Sequence, residues 1–359
     1  GVRVLQAFTP GLILLSFALA AVLPWLLQPL ARRWDLYDRP AGRKDHAVPT
    51  PVTGGLAMAA AAAVAAVLWA GQAPPPSLLA FAAASAVLVA VGLWDDRHDL
   101  RWYWRILAQA VAALIMIYGG QVRVEQLGPL FGLPSLTLGF LSVPFTVFAT
   151  VGLINAMNMI DGADGLAGLL GLAALVMLAA AAVYAGNLGL AQRVAVLCGA
   201  LAGFLLWNLR FPWRPRARIF MGNAGSGFLG LVIAWVAFRL TQNPGHPVNP
   251  VLALWLVPVP VMDTLVLIVR RLQEGRSPFA AGRDHIHHLM QDAGFGATRA
   301  AVWLTVFSLL CGLAAGVAMR LHVPHPLLLL AYLALCIGWY WLSRDRARAI
   351  ALFRWLLRD

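Results

Sequence analysis

The stretch SAVLVAVGLWDDRHD, residues 85–99, decides how this chain is read. An unbroken apolar run stops abruptly at Asp95, Asp96, Arg97, His98 and Asp99. The run is apolar on every face, so it reads as a helix inside a membrane and not as the amphipathic helix of a soluble domain. Three carboxylates within five residues at its edge are costly to desolvate and repel one another. A divalent cation or a polyphosphate would remove that conflict, whereas a single Asp there would read as an ordinary solvated loop residue.

Working outward, the pattern repeats along the chain. Of the 359 residues 61% are hydrophobic and only 12% charged, with a mean hydropathy of +0.76, values that ordinary soluble domains do not show. Apolar segments fall at about 8–30, 52–72, 76–94, 104–119, 138–156, 165–186, 190–208, 224–243, 251–269, 299–319 and 325–343. The expected fold is therefore an all-α polytopic membrane protein of about eleven transmembrane helices. No internal repeat or composition shift divides it, so 1–359 reads as one integral-membrane domain. The first run reads as a span and not as a cleaved leader. Cys198, Cys311 and Cys336 lie inside apolar runs and read as small core residues.

If the spans alternate, 22 of the 27 basic residues fall on one side, leaving Arg3, Arg123, Arg193, Arg239 and Arg320 on the other. That asymmetry places the N-terminus outside and the C-terminus in the cytoplasm. It also accounts for the net charge of +12, as basic loops against anionic lipid headgroups; nucleic acid is a poor partner for charges scattered over separate loops. Nearly all carboxylates fall on the same side. The chemistry is expected in cytoplasmic loops at about 31–51, 95–104, 157–165, 209–223 and 270–298.

The first loop holds Arg43, Lys44 and His46, phosphate donors that equally suit a membrane anchor, and then Gly54-Gly55, where a ligand can approach the main chain. Arg105 follows the acidic cluster, as an interfacial anchor or a phosphate contact. Asn155, Asn158, Asp161 and Asp164 lie within ten residues, more oxygen ligands than helix capping needs and of the kind Mg²⁺ or Mn²⁺ accepts. Phe220-Met-Gly-Asn223-Ala-Gly opens a helix whose N–H groups suit an anion, although the same residues make an ordinary N-cap; Phe220 suits stacking on a flat ring. The last island runs from Ser277-Pro-Phe to Arg283, His285, His287 and His288. It lacks cysteine, and its arginines favour a phosphate clamp over zinc. Asp263, inside the preceding span, reads either as a partner of an arginine such as Arg270 or as a functional acid.

These islands, in this order, resemble the polyprenyl-phosphate N-acetylhexosamine-1-phosphate transferases (glycosyltransferase family 4), and His-Ile-His-His is similar to the N-acetylglucosamine branch. The resemblance implies transfer of N-acetylglucosamine 1-phosphate from UDP-N-acetylglucosamine to undecaprenyl phosphate with release of UMP, starting O-antigen or related envelope glycans at the bacterial inner membrane. It implies Asp95 deprotonating or orienting the lipid phosphate with Asp96 beside it, or an aspartyl-phosphate route, and Asp161 as a further catalytic or metal residue. Mg²⁺ or Mn²⁺ would sit on Asn158 and residue 223. Asp164, Phe220 and Gly55 would serve the nucleotide. Arg43, Lys44, His46, Arg105, Arg283, His285, His287 and His288 would serve phosphates and sugar, and a homodimer is expected. In the family an Asp follows Phe-Met-Gly; here it is Asn223, which marks an inactivated chain that traps substrates or a variant with altered metal use. Another UDP-N-acetyl sugar, of galacto or fucosamine type, is the alternative donor. A lipid-linked sugar transporter is a rival reading, but its polar groups would sit at the midplane instead of one face.

Overall fold

The computed structural model describes residues 6, 8–38, 48–70, 75–130, 135–242, 248–278 and 282–358. Helices make up nearly all of it: α1 (Pro10–Leu26), α2 (Gln28–Arg33), α3 (Gly54–Ala70), α4 (Pro76–His98), α5 (Trp102–Leu114), α6 (Ser142–Ile160), α7 (Leu166–Tyr184), α8 (Leu188–Asn208), α9 (Gly222–Thr241), α10 (Pro250–Leu256), α11 (Pro258–Gln273), α12 (Ile286–Asp292), α13 (Ala297–Arg320), α14 (His325–Arg344) and α15 (Arg346–Leu356). The one sheet among these residues pairs β1 (Tyr37–Asp38) with β2 (Thr50–Pro51) antiparallel, Tyr37 opposite Pro51 and Asp38 opposite Thr50.

Among the described residues eight helical segments are long and apolar enough to cross a membrane, nine if the bent pair α10–α11 is one span. The expected first two spans appear as the shorter helices α1 and α3, of 17 residues each, so a count of eleven depends on them. The ninth expected span is not straight: α10 and α11 meet at 94°. Pro258 and Pro260 explain the break, since each lacks an N–H for the preceding turn and disfavours helical geometry just before it. The outer helices carry apolar side chains on faces that no protein covers, among them Leu313 and Ile337, 64% and 66% exposed, as a lipid environment requires. The chain is a polytopic membrane protein.

Helix α9 is the axis of the bundle, packed against α3, α4, α6 and α7. Its first turns are built from small residues because backbones meet there. A Cβ on Gly55 of α3 would lie 2.2 Å from the Gly225 nitrogen of α9, closer than any atom can. Such close packing of small residues is the usual way apolar helices associate in lipid. The N-terminus of α9 is thereby fixed deep between α3 and α4, at the end of the bundle where Asp95 and Asp96 emerge.

Candidate functional site

The loop ahead of α9 is fastened before the site begins. Phe220 donates its N–H to the Pro51 carbonyl (2.9 Å), and Gly54 and Gly55 donate theirs to the carbonyls of Phe220 and Met221 (3.1 and 3.2 Å). Phe220 is half-buried and packs against Ala31, Leu36 and Val52. Gly55 therefore serves helix packing as well as the loop. Gly222 adopts φ +68°, and a side chain there would lie 2.5 Å from Asp96 Oδ2, so both conformation and space call for glycine.

Asn223 then meets two of the three acids of the opening stretch. Its backbone N–H donates to Asp96 Oδ1 (2.9 Å), and its side-chain Nδ2 donates to Asp95 Oδ2 (2.9 Å). The acceptor at the N-terminus of α9 is thus the protein's own Asp96 side chain, held by the donors of that turn. Asp95, 3% exposed, also accepts from the Leu100 N–H (2.8 Å), and Arg105 Nε stands 3.7 Å from its Oδ2. A small cavity lies beside them, lined in part by Asp95, Arg105, Asn158, Asn223 and Ser226. Asn158 Oδ1 accepts from Ser226 Oγ (3.1 Å). Four of the residues singled out in the sequence, from three separate islands, face one space.

The oxygen donors around the cavity fit a divalent ion in part. Asp96 Oδ2 is buried without a hydrogen-bond partner, and Asn158 presents an amide oxygen to the cavity. Both are hard oxygen donors of the kind Mg²⁺ takes. Asn223 departs from that fit, since it turns an N–H toward Asp95. No three His, Cys, Asp or Glu side chains among the described residues converge as a metal group.

The third island folds into the turn between α6 and α7. Asp164 is half-buried, and its Oδ2 accepts from Arg210 Nε and from the Ala217 N–H, both at 2.8 Å, tying the basic 209–218 segment to this turn. Burial, and then the like charges of Asp164 and Asp38, push the Asp161 carboxyl up to about 7. In the unfolded chain such a carboxyl ionises near pH 4. Between about pH 4 and 7 the folded state therefore binds more protons, and stability falls as pH rises through that window. Asp161→Asn is expected to remove this fall. The variant and parent melt together at pH 4 and separate above pH 7, the variant higher; parallel curves would contradict the assignment.

The histidine island lies against the same turn. His287 is fully buried with both ring nitrogens unpartnered, and a Cβ on Gly162 would lie 2.7 Å from its Nε2. Burial, then the neighbours His288, His285 and Arg283, hold its pKa well below the usual value, so it is neutral. His285 caps α12, and its Nδ1–H donates to Asp263 Oδ2 (2.8 Å), while the Ile286 N–H donates to Oδ1 (3.2 Å). The intramembrane acid thus has a partner, a histidine and not Arg270, which instead donates to the Tyr340 carbonyl and Ser343 Oγ. Asp284 is held by Arg271 at 2.8 Å; burial opposes its ionisation, but that hydrogen bond and charge bring its pKa below the ordinary value. Exposed Arg283 contacts Asp292 at 3.5 Å. Arg43, Lys44 and His46 lie outside the described residues.

Asp263 is the residue whose partner the sequence left open, and the arginines that lock the segments, Arg210 and Arg271, were not among the expected site residues. A buried acid one helix before a histidine cluster was the available signal for the first.

Comparison with known proteins follows these islands. The profile of glycosyl transferase family 4 matches residues 78–241, which hold Asp95, Asp96, Asn158, Asp161, Asp164, Phe220 and Asn223. Undecaprenyl-phosphate alpha-N-acetylglucosaminyl 1-phosphate transferase of Haemophilus influenzae is 36% identical over 286 residues, 80% of each chain. The enzymes of the same name from Pasteurella multocida and Escherichia coli K12 are 33% and 32% identical, over 92% and 94% of this chain and 92% and 91% of their own. With both acidic islands inside the matched region and identity extending along most of its length, the chain belongs to glycosyl transferase family 4.

Proposed function

We propose that this protein transfers N-acetylglucosamine 1-phosphate from UDP-N-acetylglucosamine to undecaprenyl phosphate, leaving a lipid diphosphate-sugar and UMP. The observation that carries the reading is the convergence of Asp95, Arg105, Asn158 and Asn223 on one cavity at the loop-bearing end of an apolar bundle. A lipid headgroup and a soluble nucleotide can meet at such a place. The asymmetry of the basic residues supports a cytoplasmic position for this end with the N-terminus outside, and the proposed reaction belongs at a bacterial inner membrane.

In this reading an oxygen of the lipid phosphate attacks the sugar-bearing phosphorus of the donor. A new P–O bond forms, the bridging P–O bond breaks, and UMP leaves with its electron pair. Asp95 orients the attacking phosphate and accepts any proton it carries, with Arg105 balancing charge. The free Asp164 Oδ1 and the face of Phe220 serve the uracil, and Arg283, His285, His287 and His288 the diphosphate and sugar. Asp96 Oδ2, Asn158 and the side chain at 223 would hold Mg²⁺ or Mn²⁺, which when bound offsets the repulsion between two polyanions. Asn223 lacks the charge for a strong ligand, so this chain binds substrates and turns over slowly.

The test is equilibrium binding of UDP-N-acetylglucosamine, UDP-N-acetylgalactosamine and UDP-glucose to the unaltered chain. Tightest binding of the first supports the reading. Tighter binding of the galacto donor moves the specificity, and equal binding of all three contradicts it.

A further inference from the structure

The segment that fastens Asp164 also builds a second concavity, away from the Asp95 cavity and sharing no residue with it. This groove, of about 370 Å³, is lined by Ala21, Leu206, Trp207, Trp213, Arg214 and Arg218. Its frame is rigid. Trp207 Nε1 donates to the Ala21 carbonyl (2.7 Å), joining the end of α8 to α1. Trp213 stacks parallel on Phe211 at 4.9 Å, with the Arg214 guanidinium 5.0 Å from the Phe211 ring centre. The same guanidinium donates to the carbonyls of Leu206 and Leu209.

The groove combines two cationic side chains, Arg214 and Arg218, with the apolar surface of Ala21, Leu206, Trp207 and Trp213. Arg218 has no hydrogen-bond or ion-pair partner for its side chain among the described residues, and Asp164 is already committed to Arg210. Burial and the neighbouring charge of Arg218 lower the Arg214 pKa, with the Asp164 carboxylate opposing them in part. Leu206 and Trp213 stand 43% and 78% exposed beside them. A ligand that satisfies both kinds of lining has a phosphate and a hydrocarbon tail. The acceptor lipid of the proposed reaction must bring its phosphate to Asp95, in the other cavity, which leaves bilayer lipid as the occupant.

We propose that this groove binds one anionic phospholipid, its phosphodiester between Arg214 and Arg218 and an acyl chain along Leu206, Trp207 and Trp213. The choice of bilayer lipid over acceptor lipid rests on the proposed reaction, whereas the groove shares no residue with the Asp95 cavity. Its reach is specific: Ala217 lies between the groove and Asp164 and holds that carboxylate through its N–H, so an occupied groove stiffens the turn that carries Asp161 and Asp164.

The experiment is native mass spectrometry and thermal unfolding of the purified chain with phosphatidylglycerol or phosphatidylcholine added, and with undecaprenyl phosphate as competitor. One phosphatidylglycerol is retained per chain in preference to phosphatidylcholine and raises the melting temperature. Arg218→Gln weakens its retention about tenfold, the loss of one charge-assisted contact, and Trp213→Leu weakens it by removing aromatic surface from the acyl chain. Arg218→Lys keeps most of it, and Arg344→Gln on the tail changes nothing. Equal retention by the parent and Arg218→Gln would overturn the site. So would displacement of phosphatidylglycerol by stoichiometric undecaprenyl phosphate, which would make the groove an acceptor site. Variants whose lipid-free melting temperature matches the parent exclude misfolding as the cause.

Discussion

Replacing Asn223 by Asp is expected to raise Mg²⁺-dependent product formation by at least about tenfold, the scale on which a defective metal shell costs activity. In the present chain Asn223 Nδ2 donates to Asp95 Oδ2 (2.9 Å), while its backbone N–H satisfies Asp96 Oδ1. The amide contributes hydrogen bonds but no negative charge, and so weakens the drive to bind metal. A carboxylate at the same position would put three acids in contact. Two unit charges at 4 Å repel by roughly 4 kcal/mol in an environment of intermediate dielectric, so the Asp form needs a proton or a divalent ion. A second expectation follows on stability. In EDTA the Asn223→Asp chain melts below the parent, Mg²⁺ restores it by mass action, and the parent is insensitive to both. Equal Mg²⁺ responses in the two chains would show that position 223 does not face the metal.

The second large effect is at Asp263. This carboxylate, 3% exposed, accepts from His285 Nδ1–H and from the Ile286 N–H, and so fixes the start of α12 and with it the three-histidine cluster. Removing one partner of a buried, hydrogen-bonded pair leaves the other donors unsatisfied at a cost of about 3 kcal/mol. Asp263→Ala is expected to lose that much stability, measured by denaturant titration in detergent, and to weaken donor binding because His287 and His288 lose their orientation. Arg270→Gln, which touches Tyr340 and Ser343 instead, leaves donor binding unchanged. A double-mutant cycle with His285→Ala isolates the pair. A coupling energy near zero would contradict the assignment.

The transmembrane helices were legible because lipid imposes apolarity along the whole length of a span, and the eight long ones and the bent pair coincide with apolar runs. What was not legible was their geometry. The 94° turn between Leu256 and Pro258 sits inside what reads as one hydrophobic segment, and only Pro258 and Pro260 hint at it. Residues such as Asp95, Asn158 and Asn223 were legible as chemistry because polar groups at membrane depth have to be accounted for. Their partners were not. Asn223 meets Asp95 across 128 positions and Asp164 meets Arg210 across 46, and such pairs depend on how α4, α6 and α9 pack. The Gly-rich turn of α9 was expected to suit an anion or to be an ordinary N-cap, and its N–H at Asn223 meets the Asp96 side chain of the same chain.

The most direct measurement is the transfer of labelled phospho-sugar from UDP-N-acetylglucosamine to undecaprenyl phosphate by the Asn223→Asp chain, with and without Mg²⁺, beside the parent and the Asn223→Asp, Asp95→Asn double variant. The account predicts Mg²⁺-dependent lipid-linked product and stoichiometric UMP from the first, little from the parent and none from the double variant. Folded Asn223→Asp protein that binds the donor yet forms no lipid-linked product would contradict it.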